Sequence, residues 1–187
     1  MLKLTRQSTP VDPATVHAAR GGDRAACGKL LTSLQDVWYR FALAQLRDAE
    51  QAADATQETG LRFLRQLPTF RGDSQLQTWS LGIALNVTRE FRRKRGEYLD
   101  SDTESQIPAR EDAFSELEQL DDRAQVQRAL QQLSPRQREV LILRYFEDLS
   151  TDETAVMMKC AAGTVKATLH QALRAVKAAL TSSRPIN

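Results

Sequence analysis

Apolar residues in the first half of the chain recur at intervals of three and four. Cys27, Leu30, Leu31, Leu34, Val37, Trp38 and Phe41 paint one stripe of a helix opening at Asp23. No segment sustains the period-two alternation of a half-buried strand, so the pattern predicts an all-α protein. A shorter helix precedes this one, with Asp12 as cap, Pro13 in the first position and Gly21-Gly22 as the stop. Asp48 with Gln51, and Ser74 with Gln77, have the spacing in which a cap side chain and a glutamine satisfy free amides reciprocally. They predict a helix over residues 49–67, a loop over 68–73 and a helix over 75–95. In that last helix Leu76, Trp79, Ile83 and Val87 fall in phase, which favours a core position for Trp79.

The second half repeats the theme. Val126, Leu130 and Leu133 form a stripe, and Ser134-Pro135-Arg136-Gln137 supplies a cap, a first-position proline and a glutamine partner. Ser150-Thr151-Asp152-Glu153 opens a short helix to about Lys159. After a brief turn at Cys160-Ala161, a long helix carries Val165, Leu169, Leu173, Val176 and Leu180 on its inner side. Two helices joined by a tight turn, the second basic on its outer face, have the outline of a helix-turn-helix.

Charge changes the picture more than composition does. The 187 residues carry a net charge of only +2, but residues 1–96 carry +6, residues 97–122 carry −9 and residues 123–187 carry +5. The acidic stretch contains Pro108 and few apolar residues, so it reads as a flexible connector. The expected organisation is an N-terminal extension (1–12), a helical domain (13–96), the acidic linker (97–122) and a helix-turn-helix domain (123–187). Cys27 and Cys160 lie far apart without metal-ligand spacing, which suggests reduced thiols in a cytoplasmic protein. No apolar run approaches the ~20 residues of a membrane-spanning helix, and the first residues lack signal-peptide character. With two histidines and no nucleophile, phosphate-loop or metal motif, no enzymatic activity and no cofactor is expected.

The segment from Asp54 to Arg95 carries a more specific signal: Asp54-Ala-Thr-Gln57-Glu58, then Leu67-Pro-Thr-Phe70-Arg71-Gly72-Asp73-Ser74-Gln-Leu-Gln-Thr78-Trp79, then Ile83, Asn86 and Arg92-Arg93. It resembles the second conserved region of extracytoplasmic-function sigma factors, in the sigma-70 family of bacterial RNA polymerase subunits. Gly163-Thr164-Val165-Lys166, after the capped helix at Ser150, resembles that family's fourth region. The resemblance implies a subunit that directs core polymerase to promoters and helps open the minus-10 element. By the same resemblance the partners are core polymerase, through its clamp helices and flap, and promoter DNA. An anti-sigma factor is a further partner that it admits without requiring.

Residue by residue, the resemblance places Asp54, Gln57 and Glu58 on the clamp helices, with Phe63 adding apolar contact area. Asp54, Gln57 and Glu58 occupy i, i+3 and i+4 and form one patch, while Ala52, Ala55 and Thr59 face inward. The minus-10 element is assigned to Phe70, Arg71, Asp73, Ser74, Gln77, Asn86, Arg89, Arg92 and Arg93. Five basic residues within 89–95 suit phosphate contacts beside unstacked bases. The minus-35 element falls to Thr164, Lys166, Thr168, His170, Gln171 and Arg174 on the last helix, with Lys177 on the same outer face. The chain departs from the family at Lys159, where a turn glycine is usual, at Ala161, where a serine cap is usual, and at Ala167, Thr168 and Gln171. These departures put minus-35 base preference in question.

Two other readings stay open on the sequence. One is a stand-alone helix-turn-helix regulator with an N-terminal dimerisation or effector module. The other makes the N-terminal half a module that sequesters a partner. The first should bind its DNA site unaided, and the second should not open promoters.

Overall fold

Helices account for all the regular structure among the residues described by the computed structural model, which are 11–96, 130 and 132–182. These residues fall into two units, one on each side of the acidic stretch. The expectations for residues 1–10, for the linker 97–122 and for Val126 at the start of the second domain lie outside the described residues, as does the Leu180 side chain.

In the N-terminal unit, α1 (Pro13–Arg20) starts where the Asp12 carboxylate accepts from the Ala14 amide. Asp23 caps α2 (Arg24–Leu46) through the Ala26 amide at 2.8 Å. Arg47, in the left-handed region at φ 58°, and Asp48 turn the corner into α3 (Ala49–Gln66). Asp48 accepts from the Gln51 amide at 3.0 Å, but the Gln51 side chain returns to the Asp48 carboxylate instead of its backbone. A single 3-10 turn (Leu67–Thr69) and an exposed loop then lead to α4 (Leu76–Lys94).

Ser74 is not the cap of α4. The first helical bond runs from the Trp79 amide to the Gln75 carbonyl, so the helix begins one residue later than the capping pattern predicts. Burial explains the register: Leu76 and Gln77 are taken into the core, and the Gln77 carbonyl accepts from Ser80 Oγ at 2.8 Å. Ala52, Ala55 and Thr59 are fully inward as expected, bringing α3 close to its neighbours. Trp38, Phe63, Trp79 and Phe70 form a run of tilted rings with centroids 5.2, 5.7 and 5.1 Å apart. The buried indole N–H of Trp38 donates to Ser80 Oγ at 2.9 Å, so the largest core side chain leaves no unmet donor.

In the C-terminal unit, α5 (Pro135–Tyr145) and α6 (Thr151–Met158) both open with complete capping boxes, at Ser134/Gln137 and Ser150/Glu153. Leu133, Leu141, Ala172, Leu173 and Val176 form a core joining α5 to α7 (Ala162–Ser182), with Leu130, Tyr145 and Leu169 packed at its margin. Arg138 is buried and ties back the chain ahead of α5, donating to the carbonyls of Leu130 and Leu133 at 3.3 and 2.9 Å.

The α6–α7 turn shows how a helix-turn-helix forms without its usual residues. Lys159 sits in the left-handed region at φ 56°, ψ 48°, its amide bonded to the Val156 carbonyl, while the Cys160 amide bonds to Ala155. This is the paired-bond C-terminal motif that normally takes glycine. Ala161 accepts the first bond of α7 from Val165 at 3.2 Å and has no side-chain oxygen to offer the free amides. Lys159→Gly is expected to stabilise the C-terminal unit by about 0.5–1 kcal/mol, and Ala161→Ser by about 1 kcal/mol. Thermal denaturation of the full chain checks both, and a fall in the C-terminal transition for Lys159→Gly would contradict the turn geometry.

Candidate nucleic-acid and protein interfaces

Three exposed faces emerge from these helices. On α3, Asp54, Gln57, Leu61 and Arg65 are exposed and follow one another at spacings of three or four, so they make one stripe. Leu61 is 52% exposed, a large apolar side chain left open in the middle of a polar row. Glu58 is half-exposed beside it.

On α4 a second stripe runs through Trp79, Gly82, Asn86, Arg89 and Arg93, spaced three, four, three and four residues apart. Asn86 and Arg93 are exposed, and Trp79, Gly82 and Arg89 half-exposed. The stripe begins where the loop ends. Arg71, Gly72, Asp73, Ser74 and Gln75 are all exposed, and Gly72 adopts φ 84°, a conformation a side chain would strain. Phe70 anchors the other end of that loop, buried against Trp79.

Between the two helices lies an ion-pair cluster. Arg62 donates from Nε to Glu58 at 2.6 Å, and from Nη1 and Nη2 to the two oxygens of Glu90 at 2.6 and 2.8 Å. The third face is on α7, where Gly163, Lys166, Arg174 and Lys177 are exposed and Thr164, His170 and Gln171 half-exposed, opposite buried Val165, Ala172, Leu173 and Val176. The buried Nδ1 of His170 turns one edge of that ring inward. Among the described residues no group of three or more His, Cys, Asp or Glu side chains is placed to hold a metal, and no helix is long and apolar enough to cross a membrane.

Comparison with known proteins identifies the family. Residues 30–98 match Sigma-70 region 2, and residues 123–176 match Sigma-70, region 4. The RNA polymerase sigma-H factor of Pseudomonas aeruginosa is 30% identical over 185 residues, covering 90% of this chain and 93% of that one. The chain belongs to the sigma-70 family, in its extracytoplasmic-function group. The ECF RNA polymerase sigma factor SigL of Mycobacterium tuberculosis is 34% identical over 166 residues, covering 85% of this sigma factor and 93% of its own length. A solved sigma factor, RpoE of Bartonella quintana in complex with the anti-sigma factor NepR, superposes with a TM-score of 0.65 at 25% identity, covering 84% of this chain and 98% of that one. As a sigma factor the protein directs RNA polymerase to specific promoters and is not an enzyme. The stand-alone regulator leaves the match over residues 30–98 without a role.

Several side chains assigned to contacts by sequence are instead interior in this sigma factor. Phe63 is 0% exposed in the aromatic run, so it offers no area to a docking protein, and Leu61 is the open apolar residue of that helix. Phe70 and Gln77 are buried at the two ends of the loop, leaving Arg71, Asp73 and Ser74 as its outward polar groups. Arg92 is 1% exposed and donates to Gln45, because it falls one position off the α4 stripe. Arg95 donates to the Leu46 carbonyl at the end of α2, and Lys94 lies over the Phe91 ring at 5.5 Å. Thr168 is buried between α7 and the body of its unit. Trp79, expected in the core, is half-exposed, with Phe63 and Phe70 packed on it.

Sequence reasoning missed Leu61 and the Arg62–Glu90 contact. The i, i+4 spacing of Glu58 and Arg62 was a usable signal, whereas Glu90 reaches Arg62 only once α3 and α4 pack. The bidentate bonds from Arg62 hold the Glu90 carboxyl below the usual carboxylate range; burial opposes this, and the charges of Arg62, Arg93 and Lys94 add to it. A carboxylate with a depressed folded-state pKa contributes stability above its unfolded pKa of about 4.3 and loses it as pH falls through the lower folded value. The partners are 28% and 34% exposed, so solvent screens the pair. Glu90→Gln is expected to cost about 1 kcal/mol at neutral pH. Urea denaturation should show this gap closing as pH drops below ~4, and a gap independent of pH would contradict the ion-pair account.

Proposed function

We propose that this sigma factor divides its work among the three faces. The α3 stripe of Asp54, Gln57 and Leu61, with Glu58 at its edge, docks on the clamp helices of core polymerase. The loop residues Arg71, Asp73 and Ser74, with Asn86, Arg89 and Arg93 on α4, take the minus-10 element as it opens. The α7 face of Thr164, Lys166, His170, Gln171 and Arg174 enters the major groove at minus-35.

The observation that carries this reading is the continuous α4 stripe. A half-exposed indole, a residue without side chain, an amide and two guanidiniums succeed one another from the loop outward. A flat ring and an amide suit unstacked bases, and guanidiniums suit the phosphates beside them. A domain over 13–96 and another over 123–187, joined by the acidic linker 97–122, would present the two DNA faces together to one promoter. The flap of core polymerase would meet the C-terminal domain. A cytoplasmic location goes with this role. The solved complex of the Bartonella quintana relative with its anti-sigma factor supports a regulator of that kind here. Run-off transcription with purified core polymerase tests the reading as a whole, since the chain should confer promoter-dependent initiation that core alone lacks.

Two sets of variants separate the faces. Asp54→Lys combined with Leu61→Asp is expected to weaken binding to core polymerase by roughly tenfold or more, as loss of an interface anchor does, with helical content retained. Unchanged competition for core would remove α3 from the interface. On α7, Gln171→Ala should relax base preference at one or two adjacent minus-35 positions, at a cost of about 1–3 kcal/mol for a good bidentate contact. Lys166→Ala should instead weaken all minus-35 sequences alike, as loss of a phosphate contact does. Identical base preferences for Gln171→Ala and the unmodified protein in a minus-35 library would exclude Gln171 as a reader.

A further inference from the structure

One residue bordering the α4 stripe has the wrong sign for a nucleic-acid face. Glu90 lies four residues beyond Asn86 and three before Arg93, and the charges of Arg93 and Lys94 act on it. A bare carboxylate there would oppose any phosphate backbone held by Arg89 and Arg93. It is not bare: both of its oxygens accept from Arg62, at 2.6 and 2.8 Å, in the fork geometry that fixes a guanidinium on a carboxylate. Arg62 comes from α3, and its remaining Nε–H holds Glu58, at the edge of the polymerase-facing stripe. One guanidinium therefore neutralises the misplaced charge on the DNA face and steadies a carboxylate on the docking face.

We propose that Arg62 is a positioning residue that masks Glu90 from promoter phosphates, so that the α4 face presents net positive charge to DNA. The inference rests on the reading of α4 given above. A bridge that merely holds the helices together and a bridge that masks a charge differ in sign. Breaking a structural bridge from either end should weaken promoter binding. Breaking a mask from the arginine end exposes a negative charge, whereas breaking it from the glutamate end removes a negative charge beside the DNA and leaves Arg62 paired with Glu58.

The experiment measures binding of a promoter fragment by holoenzyme, assembled with saturating core polymerase, over a series of salt concentrations. Arg62→Gln is expected to weaken binding roughly two- to five-fold, the scale of one screened charge acting on nearby phosphates. Glu90→Gln is expected to tighten binding by a similar factor and to steepen its salt dependence. The double variant should return to near the unmodified affinity.

Weaker binding with Glu90→Gln, or a double variant no better than Arg62→Gln alone, would overturn the proposal in favour of a purely structural bridge. Unchanged binding with Glu90→Gln would overturn it as well. If Arg62→Gln fails to fold, as read by its thermal transition, the direction of the Glu90→Gln change still decides. Arg93→Ala separates the two levels: if it leaves promoter binding unaltered, the α4 face is misassigned and the proposal falls with it. If Arg93→Ala weakens binding while Arg62→Gln and Glu90→Gln shift it in the same direction, the α4 face stands and only the mask is wrong.

Discussion

The aromatic run through Trp38, Phe63, Trp79 and Phe70 is what the N-terminal unit is built on, because it sets how α2, α3 and α4 meet. Large rings gain from burial and from tilted contact, and a buried indole must also find an acceptor, which Ser80 provides from α4. That hydrogen bond and the small residues Ala52, Ala55 and Thr59 leave little freedom in rotation for any of the three helices. Once their rotation is set, the outward stripes of α3 and α4 are set too. Trp79 belongs to both sides of this arrangement: its ring packs on Phe63 and Phe70, and its remaining surface begins the α4 stripe. A core contact and an outward face are thus made by one side chain, and the loop between α3 and α4 is pinned at Phe70 and turns at Gly72.

The C-terminal unit reaches its outline by a different balance. Both of its entry caps are complete, and the core between α5 and α7 is aliphatic. The turn that defines the motif is made from unfavourable residues, with a lysine in a left-handed conformation and an alanine at a capping position. The two bonds of the turn survive because they involve backbone alone, so the side chain at Lys159 can vary at an energetic cost without loss of the geometry.

Helix starts were legible in the sequence because a capping residue acts locally: Asp12, Asp23, Asp48, Ser134 and Ser150 each cap the helix expected of them. Ser74 failed where the local signal competed with burial of Leu76 and Gln77, and burial decided the register. The stripes were legible as periodicities, but a periodicity does not state which of two polar-looking positions faces out. Arg92 and Arg93 are adjacent and chemically alike; a rotation of one residue puts the first in the interior with Gln45 and the second in solvent. Phe63 and Phe70 were assigned to contacts by the family resemblance, and the rings that pack on them, Trp38 of α2 and Trp79 of α4, meet them only once the helices assemble. Thr168 lies one residue from the outward face of α7 and is covered by its own unit.

Arg95 and Arg138 share a placement that bears on how the molecule responds to force. At the exit of α4, Arg95 grips the Leu46 carbonyl that ends α2; at the entry of α5, Arg138 grips the carbonyls of Leu130 and Leu133. A pull arriving along the chain from between the two units is met at each side by a guanidinium clipped to main-chain oxygen, before it reaches a helix that bears a working face. Such clips act as strain relief does on a cable, taking a load on main-chain hydrogen bonds at the margin of each unit and sparing the helix packing behind them.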